Sequence, residues 1–269
     1  MKIYISADIE GTIGVLDGIE CREGSVEYER AREYMTKEVI AVSRGALRAG
    51  AKEILVKDAH ATGRNILIDD LPEEVEIVRG WSGHPFKMMQ ELDSSYKGVI
   101  FTGYHSGARL GGNNLAHTIN GGVIHSIKIN GEIASEFMIN TYTAGYVGVP
   151  VIFVSGDRDL IEKEVKELNL GIETLSVKEG RGASVRSFSL KKGLSLLEEG
   201  AARGVKNISS IDRVDLPESF LLEIEFRRET DAVRAGYFPG MERSGIYSVE
   251  GDFKDYFDVL KALLFLTRS

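Results

Sequence analysis

The feature that most constrains the fold stands at the start of the chain, where a short apolar run, a long segment of helical periodicity and a second short apolar run follow one another. "KIYISA" at 2–7 predicts a buried strand. In "YERAREYMTKEVIAVSRGALRAG" the residues Tyr28, Ala31, Met35, Val39, Val42 and Ala46 recur at steps of three and four, which is one apolar helix face, and Gly50 supplies the stop. "EILVKD" at 53–58 is the next strand. Together these form a βαβ unit, whose strands must run parallel with a right-handed crossover. "VEIVRG", "GVIFTGYH" and "VIFVSGD" add further Val/Ile runs, separated by helical segments such as 86–92 and 157–168. The fold class predicted is therefore α/β, a mainly parallel sheet with helices on both faces.

One stretch breaks this alternation. "GGVIHSIKINGEIA" at 121–134 has period two and carries Asn130-Gly131, a strong hairpin-turn signal, so an inserted β-hairpin is expected. The glycine-rich, polar "KEGRGASVRS" at 178–187 precedes a long helix from about 189 to 205, and "NISSIDRVDLPES" reads as a linker. The remainder patterns as strand, helix, strand, helix and ends in the apolar "YFDVLKALLFLT". The organisation expected is a catalytic α/β domain at 1–208 followed by a small C-terminal α/β subdomain at 209–269, in a chain of 269 residues whose 43% hydrophobic content suffices for a substantial core.

Charge and composition narrow the partners. Forty-one acids against thirty-three bases give a net charge of -8, with no basic block to track phosphates, so nucleic acid is not an expected partner. No apolar run approaches the roughly 18 residues of a membrane span, and the first strand meets Asp8 too early for a signal-peptide core, so no membrane partner is expected either. The single cysteine, Cys21, has no partner within the chain and suits a reducing compartment. A soluble, cytoplasmic protein is the expectation.

Four runs end in residues able to bind a metal or move a proton: Asp8 and Glu10 after the first strand, Asp58 and His60 after the second, His105 after "GVIFTGY", and Asp157 after "VIFVSG". In open parallel sheets the ligand crevice lies outside the carboxyl ends of the strands, so groups distant in sequence converge there. Asp157 opens "DRDLIEKEVKEL" and reads as a helix cap. Asp8 and Glu10 are not needed as caps, because the next helix begins well downstream of both. His117 sits in "SGARLGGNNLAHT", a glycine- and asparagine-rich loop able to carry a side chain over the strand ends. His125 alternates with Val123, Ile127 and Ile129 on one hairpin face and is assigned to packing or an interface, and His84, before Pro85, is assigned a structural role. Glu136 lies in the first turn of "SEFMINTYTAGYVG", where a glutamate favours the helix dipole in any case.

Two chemistries compete for these residues. "DIEGT" at 8–12 is similar to the D-x-D-G-T loop of haloacid-dehalogenase-like magnesium phosphatases, with Asp8 as nucleophile, Glu10 in place of the second aspartate, and Asp157 and Lys57 in support. That leaves His60, His105 and His117 without a task, and imidazole suits zinc and its transition-metal neighbours better than magnesium. A metal- or peptide-binding module without turnover needs the same ligands, and stands as a third reading.

The motifs "DIEG" at 8–11, "DAH" at 58–60, "GYH" at 103–105, "AHT" at 116–118 and "SEFMINTYTAGY" at 135–146 resemble the zinc D-aminopeptidase family, also called the dipeptide-transport protein A family. The resemblance implies two zinc ions per subunit bridged by Asp8, with Glu10 and His60 completing one site, His105 and Glu136 the other, and His117 as the catalytic histidine. It also implies hydrolysis of short peptides with an N-terminal D-residue, and a ring-built homo-oligomer, a decamer. Two dications and three carboxylates would leave the site with a net charge of about +1, an electrophilic centre with an open position on each metal. Lys57 and "HSGARLGG" depart from the family pattern, which bears on substrate choice more than on metal binding.

Overall fold

In a computed structural model that describes residues 1–267, the βαβ opening is present as read: β1 is Lys2–Ala7, α1 is Val26–Arg48 and β2 is Glu53–Asp58. Ser25 caps α1, its hydroxyl accepting from the Tyr28 amide, and the six residues of the expected apolar face are all buried. Gly50 follows at φ +108, a conformation that suits glycine as the helix stops. The strands β3 (Val75–Val78), β4 (Gly98–Tyr104) and β7 (Val151–Asp157) extend the parallel sheet. Strands β8 (Glu173–Arg181) and β9 (Ser184–Ser187) complete it, with β9 antiparallel at the edge. The order is β3-β2-β1-β4-β7-β8-β9.

Side chains alternate across this sheet. Ile3 and Ile5 of β1 face α1 and a second long helix, α4 (Leu190–Lys206). Tyr4 and Phe101 face the other side. That side is covered by α2 (Glu136–Tyr146) and by an antiparallel sheet of β5 (Ile124–Ile129), β6 (Glu132–Ile133), β10 (Phe220–Phe226), β11 (Glu242–Arg243) and β12 (Ser248–Phe253). The β5–β6 hairpin turns at Asn130 and Gly131, φ +54 and +85, the left-handed pair its sequence calls for. Because β5 pairs with β10, the five-stranded sheet draws strands from both sides of residue 208. The chain closes with α5 (Glu229–Ala235) and α6 (Tyr256–Leu266), the latter against β10, β12 and α2. Among the described residues no helix is long and apolar enough to cross a membrane.

One local expectation is corrected, and two segments take a form that the pattern did not specify. The 86–92 segment keeps only a single 3-10 turn at Lys87–Met89, since Lys87 and Glu91 both take positive φ and interrupt a helix. The 157–168 segment starts as α3 (Arg158–Leu160), widens to a π turn at 161–165 and tightens to 3-10 before the left-handed Asn169. The polar stretch 178–187 is largely the β8–β9 hairpin, an edge whose exposed face tolerates charge.

Strand order places a switch point between β1 and β4. The chain moves outward from β1 to β2 and β3, then returns to the other side of β1 with β4, so a crevice opens at the carboxyl ends of these strands. A buried carboxyl on α1 fixes the loop that leaves β1 there: Glu38 Oε1 accepts from the Ile13 amide at 2.7 Å and Oε2 from the Thr102 hydroxyl at 3.3 Å. Burial pushes Glu38 up to about 7, against the pull of both hydrogen bonds. A carboxyl raised on folding contributes fully below its unfolded pKa and loses that contribution as pH rises through its folded value, here between about 4.5 and 7. Glu38→Gln is therefore expected to flatten the fall in Tm between pH 5 and pH 8.5, by an amount worth up to about 3 kcal/mol, in paired thermal melts of both proteins.

Candidate metal centre

The loop after β1 lies directly on the end of β4. The Asp8 amide donates to Thr102 O at 2.9 Å and the Gly11 amide to Gly103 O at 2.8 Å. Glycine is required at this crossing: a Cβ on Gly11 would enter the Tyr104 carbonyl, and one on Gly103, at φ +71, would enter the Asp8 carbonyl. After β2, the Asp58 carboxylate builds a turn, accepting from the Asn65 and Ile66 amides at 2.6 and 2.8 Å and from Asn65 Nδ2 at 2.7 Å. That turn delivers His60, whose carbonyl also accepts from Asn65 Nδ2 at 2.7 Å. His105 follows β4, and Glu136 opens α2 behind the Ser135 cap, whose hydroxyl accepts from the Met138 amide.

The structure brings all six residues singled out in the sequence to one place. Asp8 is central, with Oδ1 at 3.4 Å from His60 Nδ1 and Oδ2 at 3.4 Å from His105 Nε2. Glu10 Oε2 lies 2.9 Å from His60 Nδ1, Glu136 Oε2 3.7 Å from His105 Nε2, and Glu136 Oε1 3.7 Å from His117 Nε2. Two triads of potential ligand atoms result, Asp8/Glu10/His60 and His105/His117/Glu136, each within 4.8 Å. The His117 ring stacks on that of His105, centroids 4.5 Å apart. Its side chain is 25% exposed, while the other five are nearly sealed.

Each imidazole is turned by a backbone carbonyl. His60 Nε2 faces Cys21 O at 2.8 Å, His105 Nδ1 faces Ser106 O at 2.9 Å, and His117 Nδ1 faces Leu115 O at 2.8 Å. A carbonyl only accepts, so a proton sits on that nitrogen, and the opposite one turns towards the carboxylates, where it can carry a second proton or give its lone pair to a cation, as metal-ligating histidines are held. Glu10 Oε2 and His105 Nε2 are buried with no hydrogen-bond partner, although ionisable groups lie close by. These two atoms, within a set of carboxylates and imidazoles converging from four segments, fit borderline-soft cations such as zinc.

Without a cation the cluster is electrostatically strained. Burial and the Glu10 carboxylate push Asp8 up to about 7. Burial would raise Glu10 and Glu136 too, but the His60 charge holds Glu10 well below the usual range and the His105 charge brings Glu136 down to about 2. Burial works against charge on both rings, yet Glu10 and Asp8 raise His60, and Glu136 and Asp8 raise His105, well above the ordinary imidazole value.

Supporting residues escaped the sequence reading. Asp157, read as a cap, makes no capping hydrogen bond; its Oδ2 accepts from the Ser106 amide at 3.1 Å and from Asn113, so it steadies the turn after His105 and the loop leading to His117. Lys178 of β8 is buried with its ammonium on Glu10 O and Val15 O, 3.7 Å from Asp157 Oδ1. An irregular polar stretch gave no hint of this role. His125 meets Arg109 and Glu225 away from the centre, and His84 packs edge-on against Phe86.

Fold and cluster together define a class, an α/β protein whose strand ends gather carboxylates and imidazoles in a set suited to transition metals. The chain belongs to the D-aminopeptidase family, which it matches over residues 1–265. It is 34% identical over 269 residues to a D-aminopeptidase of Bacillus subtilis (strain 168), covering 99% of this chain and 97% of that protein. It also resembles the solved structure of the Zn-dependent D-aminopeptidase DppA from Bacillus subtilis, described as a self-compartmentalizing protease, with a TM-score of 0.92, 32% identity, and 99% and 97% of the two chains covered. The phosphatase alternative falls with this match, and locally as well: Lys57 Nζ donates to Asp58 O and Gly80 O at 2.8 and 2.6 Å and is not among the residues that line the cavity at the cluster. Nor is a binding module without turnover favoured, since the family is one of peptidases.

Zinc requires the lone pairs and carboxylates that protons hold in the free protein, so uptake must release protons and affinity must rise with pH. Calorimetric zinc titrations at pH 7 in buffers of different ionisation enthalpy are expected to show release of at least one proton per chain. Equal heats in all buffers would contradict the assignment.

Proposed function

We propose that this chain is a binuclear zinc aminopeptidase that removes N-terminal residues, D-residues above all, from short peptides. The convergence of Asp8, Glu10, His60, His105 and Glu136, with the orphaned Glu10 and His105 atoms between them, is the observation that carries it. The DppA relative, described as Zn-dependent, supports zinc as the metal. Asp8 offers one oxygen to each side and would be shared between the two sites, with Glu10 and His60 holding one ion and His105 and Glu136 the other. Such ions supply a Lewis acid for the scissile carbonyl and an acidified water, lowering its pKa from about 15.7 towards about 7.

The protein's own groups do the rest. Carbonyls of Cys21, Ser106 and Leu115 fix the three rings before any substrate arrives, so no reorganisation is needed at the moment of reaction. His117 is the exposed member and lines the cavity, with Nε2 free of its carbonyl anchor. That nitrogen is placed to take a proton during attack and return it to the leaving amine, a role typically worth about 10² to 10⁴ in rate. The three carboxylates beside it attract the substrate's ammonium group, which favours cleavage at amino termini.

The proposed division of the chain puts the centre on residues 1–208 and one wall of its cavity, on α6, in 209–269. A homo-oligomer, a decamer, in the cytoplasm completes the proposal; the self-compartmentalizing description of DppA and the lone buried Cys21 support it.

Three measurements test this function. Purified protein should carry close to two zinc per chain by elemental analysis, and His60→Gln or His105→Gln should lose at least one. His117→Ala should keep both ions and lose at least about 100-fold in kcat; a variant that instead sheds a zinc would make His117 a ligand. D-Ala-D-Ala and matched D- and L-aminoacyl amides should be hydrolysed only by metal-loaded protein, and complete inertness towards all of them would sink the proposal.

A further inference from the structure

The rim described above is one side of a cavity of about 620 Å³. That volume lies within the roughly 300–1,000 Å³ typical of sites that swallow a drug-sized ligand, far more than one methyl group needs. Its carboxylates are Asp8, Glu10 and Glu136 alone among the described residues, all at the rim. The remaining walls are largely apolar, with Phe86 and Met88 before β4, Ile139 on α2, and Leu260, Leu263 and Leu264 on α6, and with Lys87, His84 and Asn140 as polar members. Glu136 and Ile139 are three residues apart on α2, so one helix face carries a rim carboxylate and, next to it, an apolar wall. An apolar recess continuous with a polar reaction centre is the arrangement that seats a substrate side chain while its backbone meets the polar groups.

Trp81 completes the wall at the open side, 40% exposed. Two contacts fix its indole. Nε1–H donates to Ala61 O at 2.7 Å, and Lys57 Nζ stands 4.0 Å from the ring centroid while its own protons go to Asp58 O and Gly80 O. Lys57 thus acts by holding an aromatic wall.

We propose that this recess is a side-chain subsite selecting substrates with a bulky aliphatic or aromatic residue beside the scissile bond, with Phe86, Ile139 and Leu263 as its walls and Trp81 as its edge. The proposal rests on the aminopeptidase reading for the position of the backbone, but selection is measurable as binding alone. An alanyl methyl leaves most of the recess to water, whereas a leucyl or phenylalanyl side chain covers its apolar surface.

Trp81 is the only tryptophan of the chain and therefore reports occupancy by its own fluorescence. The test titrates zinc-loaded protein with the hydroxamates of alanine, leucine, phenylalanine and aspartate, each in D and L form. Leucine and phenylalanine hydroxamates of one hand are expected to bind about 10- to 100-fold tighter than alanine's and to shift Trp81 emission to the blue. Ile139→Phe, which fills the recess, is expected to lower the phenylalanine-to-alanine affinity ratio at least about tenfold with zinc content unchanged. Affinities independent of side chain, or greatest for alanine or aspartate, overturn the subsite and leave the peptidase intact. Tight, selective binding without hydrolysis of the matching amides retains the subsite and overturns the peptidase. Should Ile139→Phe fail to fold, the wild-type titration alone decides.

Discussion

Three carboxylates buried at one rim cannot all carry charge unaided. Two like charges about 4 Å apart repel by about 4 kcal/mol even at an effective dielectric near 20, and burial adds to that. The metal-free cluster answers with protons: Asp8 is pushed up to about 7, and the His60 and His105 rings hold on to theirs. A divalent cation answers better, because it compensates more charge than a proton and takes up a ring's lone pair where the proton sat. The rest of the centre follows from this need, since ligands that repel one another stay together only when the backbone leaves them no alternative.

The backbone imposes that confinement at the switch point. Residues 8–11 cross the end of β4 through paired amide–carbonyl bonds that only glycine at positions 11 and 103 permits. Beneath, Glu38 pins Ile13 from α1, and on the far side the Lys178 ammonium gathers the Glu10 and Val15 carbonyls while facing Asp157. Asp157 in turn steadies Ser106 and Asn113. Buried charge of this kind is weak support for global stability, because desolvation offsets the attraction. Its use is positional: Lys178 and Asp157 tie the loops bearing Glu10 and His105 to adjacent strands, β7 and β8.

Legibility in the sequence tracked how local the cause was. The α1 face, the Asn130-Gly131 turn and the Val/Ile strands depend on spacing within a few residues, and the structure has them where the pattern put them. Asp8, Glu10, His60 and His105 could be read because a parallel sheet forces its strand ends to one rim. Glu136 was ambiguous, since a glutamate in a first helical turn is favourable whether or not it faces a metal. Asp157 was misread for the same reason, its capping position being real while its carboxylate points elsewhere. Lys178, Glu38 and the cavity walls of Phe86, Ile139 and Leu263 were illegible because their partners lie far away along the chain, and no periodicity records which of two buried faces will border a void.

The two halves of the cavity differ in what they ask of the fold. The rim joins segments after β1, β2 and β4 to the first turn of α2, so cations bound there would tie these elements together, and by linkage stabilise the native state by as much as they prefer it. The apolar half receives no such reinforcement. Phe86 sits beside an interrupted helix and a positive-φ lysine, and Leu263 lies on the last helix, against α2 and the antiparallel sheet. Substitutions in that half alter shape without touching the charges that hold the centre. A family with this architecture can therefore keep one reaction centre and change its substrate through a few apolar positions and the segment that carries Trp81.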